Sequence, residues 1–587
     1  MPPSQPDLRE PYQALLEGRL SRREFVQIAL GLGMTAAVAS NMAGASAPAL
    51  EDAPRRRPNI LLILADDLGF GDLGIMGSEI RTPHIDSIAR NGTLLTSMYN
   101  AARCCPTRAA LLTGLYPHRA GIGHMATNLG SPAYQGYLRE DAATIAEILR
   151  ADGYRTLMAG KWHVGGDLWA TRIPSWRLGD PDRPTPLQRG FDRFYGMVDG
   201  VMHYFSPWYL RDDDKRAEIP PDFYLTDAIT DKAVAMLEET AHSGQPFFMY
   251  LAHHAPHWPL HARPEDIERY AGSYARGWDA LRGARYEEML SRGVLQHKWS
   301  LSPRDPDAPA WADAPHRQWE AARMAVYAAQ VDRMDQQIGR VLDTLRRLGK
   351  LDDTLVLFFS DNGGCAETMR AEGWAKFYPD TTQDGRKITL GNDPGLSPGG
   401  PTTFMSYDLP WANASNTPFR LFKHFVHEGG ISTPLAVQWP AVMRPGGIDH
   451  TPCHAIDILP TILDAAGIVA ARELQGRTVQ LPDGESLMPL LLGRRWKRQQ
   501  AMAWEHEGNR ALRADHLKLV RRFEGDWELY DMEVDRTELR NLAPRNRRLV
   551  DRLARQHAQW SQSVGVIDWT VQQPKLKAAW GLQDIRG

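Results

Sequence analysis

A continuous apolar run at residues 59–65 and similar short, mostly apolar runs at 154–159, 246–252, 355–360 and 434–439 punctuate the chain. Runs of this length without polar alternation predict strands buried on both faces, as in a parallel sheet covered by helices. Between them, apolar residues recur at helical spacing over 85–91, 144–151, 225–239 and the long stretch 321–348. This alternation predicts an α/β domain whose large, mostly parallel central sheet is flanked by helices. Ligands of such sheets bind beyond the carboxyl ends of the strands, so polar residues directly after an apolar run are the first candidates for chemistry. Residues 260–320 and 365–420 lack a readable period and are expected to be long excursions over the active-site face. Beyond about residue 470 the pattern changes. Residues 516–520 and 526–531 flank Glu524-Gly525 as a hairpin, and a basic helix over 547–561 follows. The expected organisation is a main domain over 48–470 and a smaller α+β domain over 471–587.

The first 47 residues stand apart. Arg22-Arg23 precede a mildly apolar, glycine-containing stretch and then Ala45-Ser46-Ala47, a small-x-small ending. Together they resemble a twin-arginine export signal, although Gln27 stands where a lysine is common. The expectation is a mature protein exported to a bacterial periplasm, with no lipid anchor, since no cysteine lies near the cut. Composition agrees with a large globular enzyme: 587 residues, 43% hydrophobic and 24% charged, with a net charge of −3. That balance disfavours a nucleic-acid binder, and no apolar run reaches the roughly 18 residues of a membrane span. The four cysteines, Cys104, Cys105, Cys365 and Cys453, form no C-x-x-C pair and no disulfide framework.

Two strand ends carry acid. Asp66-Asp67 follow the first run, and Asp361-Asn362 follow the run ending at Ser360. Three carboxylates and an amide form an all-oxygen set suited to a hard cation such as Ca²⁺ or Mg²⁺, whereas Zn²⁺ would favour His or Cys. Cys104 opens a second pattern, Cys104-Cys105-Pro106-Thr107-Arg108, at the start of a predicted helix. There, backbone N–H groups and the helix dipole favour negative charge, and Arg108 lies one turn on.

These residues resemble the formylglycine-dependent sulfatases, of alkaline-phosphatase-like fold, in their arylsulfatase branch. The resemblance runs from about residue 59 to 545: residues 59–69, Thr82-Pro83-His84-Ile85-Asp86, residues 104–114, Gly160-Lys161-Trp162-His163, Ala255-Pro256-His257-Trp258-Pro259, Ser360-Asp361-Asn362-Gly363, and Lys423 with Glu428-Gly429-Gly430. It departs at His84, usually Asn, and at Cys105, more often Ser or Thr. The resemblance implies that Cys104 is oxidised to formylglycine by a formylglycine-generating enzyme, and that the aldehyde hydrates to a geminal diol. One hydroxyl attacks sulfur and the other later expels sulfate, which splits one difficult displacement into two easier ones. It further implies a divalent ion, Ca²⁺ with Mg²⁺ possible, on Asp66, Asp67, Asp361, Asn362 and residue 104. Arg108, Lys161 and Lys423 are implied as the cations that meet the anionic substrate. His163 is implied to orient the diol and assist elimination, and His257, together with Lys423, to protonate the leaving oxygen. The expected substrate is a small-molecule or glycan sulfate ester. The expected transient partners are the modifying enzyme and the twin-arginine translocase. Two alternatives differ in kind: a formylglycine-dependent phosphonate monoester or phosphodiester hydrolase on the same fold, and a non-catalytic exported binding protein.

Overall fold

The computed structural model describes residues 57–165, 184–372 and 377–581. The expected export signal lies outside the described residues.

Seven strands form the body of the central sheet: β1 (Asn59–Asp66), β2 (Thr93–Tyr99), β3 (Arg155–Lys161), β4 (Arg193–Met197), β5 (Phe247–Pro256), β6 (Thr354–Ser360) and β7 (Ser432–Gln438). Their order is β2-β7-β6-β1-β5-β3-β4. Strands β4, β3, β5, β1 and β6 pair in parallel, and β7 is antiparallel to both neighbours. All five apolar runs of the sequence are strands. On β1, Leu61 and Ile63 enter one core and Ile60, Leu62 and Leu64 enter a second on the opposite face. This two-sided burial is what an unbroken apolar run encodes.

One face carries helices α1 (Pro83–Arg90), α4 (Leu225–Ala241) and α6 (Arg317–Arg347), and the other carries α2 (Cys104–Thr113) and α3 (Ile145–Ala151). Helix α3 begins at a capping box in which the Thr144 side chain accepts from the Glu147 N–H and Glu147 accepts from the Thr144 N–H. Residues 260–320 are not the irregular excursion the sequence suggests, because they contain helix α5 (Gly277–Ser291). Its inward positions hold Trp278, Arg282 and Arg285 in place of aliphatic residues, which hides the helical period. Arg285 is buried against Asp72 and Glu79, and Trp278 packs edge-on to Trp311 and Trp411.

The C-terminal part is a four-stranded antiparallel sheet of β8 (Met502–His506), β9 (Asn509–Ala514), β10 (Leu517–Arg521) and β11 (Glu528–Asp531). Helices α7 (Arg547–Val564) and α8 (Trp569–Trp580) follow. The β10–β11 hairpin is the one expected around Glu524-Gly525, and α7 is the expected basic helix. Charge joins this small sheet to the large one. Glu428, which precedes β7, meets Lys518 of β10 at 2.8 Å and accepts from the Tyr99 hydroxyl of β2 at 2.9 Å. Arg536 lies 3.4 Å from the same carboxylate, and Glu538 also binds Lys518 at 2.8 Å. All four charged side chains are buried. Removing one member leaves buried charges unpaired, at a cost of about 3–5 kcal/mol. Glu428→Ala is therefore expected to lower the denaturant midpoint sharply. Glu428→Ala unfolding at the wild-type midpoint would show that the two sheets do not depend on this network.

Candidate active site

The parallel order of the sheet brings four strand ends to one edge. Strand β1 ends at Asp66 with Asp67 next, β6 is followed by Asp361 and Asn362, β3 ends at Lys161 with His163 two residues on, and β5 is followed by His257. Because β1 and β6 pair Ala65 with Ser360, Asp66 and Asp361 are adjacent by register. Strand β7 runs the other way, so its beginning faces this edge, and Lys423 arrives from the segment before it. Helix α2 points its N-terminus here with Cys104 as its first residue.

These side chains form a buried lattice of three acids and three bases. Arg108 donates from Nε and Nη2 to Asp361 Oδ2 at 3.0 and 2.7 Å, and from Nη1 to the Lys161 carbonyl at 2.8 Å. Lys161 Nζ reaches Asp66 Oδ2 at 2.5 Å, and Lys423 Nζ reaches Asp67 Oδ2 at 3.0 Å. Asn362 Nδ2 donates to Asp67 Oδ1 at 2.6 Å. The sulfur of Cys104 and a ring nitrogen of His163 lie within 4.8 Å of each other, as do donor atoms of Asp66, Asp67 and His257. The ten residues proposed from the sequence for catalysis and metal binding are thus brought together.

Electrostatics divides the acids. Burial raises all three, but Lys161, His257 and Arg108 hold Asp66 well below the ordinary carboxylate range. Burial pushes Asp67 up to about 6 against the pull of Lys423, and burial with the charge of Asp66 lifts Asp361 well above its usual value. For the Cys104 thiol, the hydrogen bond from Cys105 leads; with Lys161 and His163 it outweighs burial and holds the thiol well below its ordinary value. Two buried oxygens, Asp66 Oδ1 and Asn362 Oδ1, have no hydrogen-bond partner among the described residues. Unpaired buried acceptors beside crowded carboxylates fit a hard divalent cation, and the donor set is all oxygen.

The histidines sort by their contacts. His257 Nδ1 lies 2.7 Å from the Trp258 carbonyl, which only accepts, so the ring carries its proton on Nδ1. Its Nε2 faces Lys423 Nζ at 3.3 Å and accepts from it. Burial drives His163 down to about 4. Gly200 leaves His163 its place, because a Cβ there would sit 2.4 Å from His163 Nε2. Both Asp67, at φ 65°, and His163, at φ 55°, hold the left-handed backbone that side chains disfavour.

His254, which adjoins His257 in sequence and reads equally as pocket or packed loop, has Nδ1 3.5 Å from Asp66 Oδ2. Other site residues escaped the sequence reading. Glu367, from the 365–420 stretch, accepts from Trp258 Nε1 at 2.9 Å and stands 3.6 Å from Lys423. Arg103, His424 and Glu507 extend this network, with Arg103 at 2.6 Å and His424 at 2.9 Å from the Glu507 carboxylate. No periodicity marks these positions. Over Cys104 opens a pocket whose walls include Met125, Trp258, Tyr378 and Trp580.

Comparison with known proteins matches the Sulfatase family over residues 58–468 and the N-sulphoglucosamine sulphohydrolase C-terminal family over residues 419–562. An uncharacterized sulfatase of Schizosaccharomyces pombe is 33% identical over 552 residues, covering 88% of this chain and 96% of its own. The arylsulfatase of Klebsiella aerogenes is 32% identical, covering 77% of this chain and 95% of its own. Among solved structures, the crystal structure of Ps i-CgsB superposes with a TM-score of 0.62 at 24% identity, covering 89% of this chain and 97% of that one, a likeness of fold. The chain belongs to the sulfatase family, with its alkaline-phosphatase-like fold, and is a sulfuric ester hydrolase.

Proposed function

We infer that the protein hydrolyses sulfate monoesters with residue 104 as the nucleophile, after oxidation of Cys104 to formylglycine. The observation that carries this reading is the placement of Cys104 at the head of α2, in the field of Lys161 and beside His163 and the acid lattice. Its sulfur marks where a hydroxyl of the hydrated aldehyde would stand. A divalent ion on Asp66, Asp67, Asp361, Asn362 and residue 104 would supply Lewis-acid polarisation of a sulfate oxygen. Calcium and magnesium both suit that donor set.

The chain's own groups divide the remaining work. Lys161 and Lys423 place fixed positive charge where a compact anion must sit, preorganised by their ion pairs with Asp66 and Asp67. Arg108 holds Asp361 in place through two charge-assisted hydrogen bonds that converge on Oδ2. His163 positions the hydroxyls of residue 104. Lys423 holds a proton toward His257 Nε2, so this pair together delivers it to the departing alkoxide.

Two measurements test the reading. Peptide mass analysis of active protein is expected to show residue 104 about 18 Da lighter than cysteine. Purified protein is expected to prefer a nitrophenyl sulfate to the matching aryl phosphonate. Full activity with an intact thiol at residue 104 would remove the nucleophile, and a preference for the phosphonate would move the protein to the alternative reaction class.

The export reading of residues 1–47 is likewise a proposal. Replacing Arg22 and Arg23 together with Lys is expected to retain the protein in the cytoplasm by fractionation, and unchanged export would exclude the twin-arginine route.

A further inference from the structure

We propose that Trp580, carried by the C-terminal helix α8, is a specificity-determining residue that selects sulfate esters with an apolar, aromatic leaving group over multiply charged glycans. The proposal rests on the sulfatase reading of the pocket and deepens it.

Helix α8 lies beyond the residues matched by either family, which end at 468 and 562. It is nevertheless built into the molecule. Asp568 caps it by accepting from the Thr570 N–H at 3.0 Å and pairs with Arg510 at 2.8 Å. Lys575 donates to the Leu129 carbonyl at 3.1 Å, Leu576 is fully buried, and Trp569 stacks on His124 with ring centroids 5.0 Å apart. The helix therefore delivers Trp580 to a fixed place, where its indole N–H donates to Thr127 Oγ1 at 2.9 Å. That bond, with the tilted contact of its ring on His124 (centroids 6.3 Å), holds the indole at the pocket, which it lines.

Trp580 shares this wall with Met125, Val201, Trp258, Met369 and Tyr378, above Cys104, His257 and Lys423. Aromatic and thioether surfaces favour an aromatic alcohol through dispersion and edge or stacked contacts. The charges on the rim point the same way. Arg103, the candidate to receive a second sulfate, is engaged by Glu507 at 2.6 Å and Glu367 at 3.5 Å. Glu367 itself lines the pocket and repels further anions. Among the described residues, a polysulfated sugar would meet an acid and no uncommitted cation there.

The test compares kcat/KM for naphthyl sulfate, ethyl sulfate and a disulfated hexosamine on the full chain. Wild type is expected to favour naphthyl sulfate. Trp580→Ala is expected to lower kcat/KM for naphthyl sulfate about tenfold and to change ethyl sulfate less than about twofold. Partial misfolding lowers both esters together, so the ratio between them isolates the contact. Trp580→Phe, which keeps an aromatic wall, should retain most of the ratio, and Val571→Ala, on the exposed side of α8, should leave it unchanged. An unaltered ratio in Trp580→Ala, or a wild type that prefers the disulfated hexosamine, overturns the proposal while leaving the sulfatase reading intact. A wild type that cleaves no sulfate ester overturns both.

Discussion

Cys104→Ser is expected to release one equivalent of alcohol per enzyme and then stall, with sustained turnover down by at least about 10³-fold. The serine oxygen starts from the same first position of α2, under the same Lys161 and His163, so attack on sulfur remains possible. Its carbon carries no second hydroxyl, so the sulfated residue has no internal group to expel sulfate. It must wait for water to attack a buried ester. Rapid-quench measurement of alcohol and the mass of residue 104 read the two halves separately. Sustained multiple turnover by this variant would refute the diol argument.

Asp361→Ala is expected to abolish activity and also to destabilise the fold, through two different losses. Asp361 is an oxygen donor for the proposed ion, and it accepts both Nε and Nη2 of a fully buried Arg108. Without it, Arg108 keeps the Lys161 carbonyl and, at 3.6 Å, Asp66. An uncompensated buried guanidinium costs about 3–5 kcal/mol. Asp361→Asn separates the effects, because it keeps the shape and one acceptor while removing the charge. It is expected to fold closer to wild type, yet to bind metal more weakly by elemental analysis after gel filtration and to lose most turnover. An alanine variant that retains both stoichiometric metal and turnover would remove Asp361 from the ion's shell.

The contrast between what could and could not be read from the chain follows from how burial is encoded. Strands β1, β5 and β6 announce themselves because both faces are apolar, and β3 and β7 through their apolar centres, Leu157-Met158-Ala159 and Leu435-Ala436-Val437. Strand β2 is as deeply buried but reads Thr-Leu-Leu-Thr-Ser-Met-Tyr, with Thr96 and Ser97 inside. Its polar interior is satisfied from far along the chain, as where Thr96 Oγ1 meets His450 at 2.6 Å. The β8–β9 hairpin did carry a signal, Glu507-Gly508, whose φ angles of 52° and 78° suit a tight two-residue turn. Helix α8 was hidden by Pro574, which reads as a helix breaker yet lies inside the helix. The Arg103–Glu367–His424–Glu507 network left no trace in the sequence, since it joins four separate segments and its members look individually like surface residues.

The register that sets Ala65 beside Ser360 has a consequence for the order of events during synthesis. Asp67 and Asp361, in hydrogen-bonding contact, are 294 residues apart in the chain. At about 5–20 residues per second, the ribosome delivers the second strand end roughly 15–60 seconds after the first. Until then β1 has no β6 to pair with, the carboxylates cannot converge, and Cys104, only 2% exposed in the finished molecule, is still open to solvent. On the proposed formylglycine reading, vectorial emergence sets the interval for oxidising Cys104, which closes once the distal strands add to the sheet.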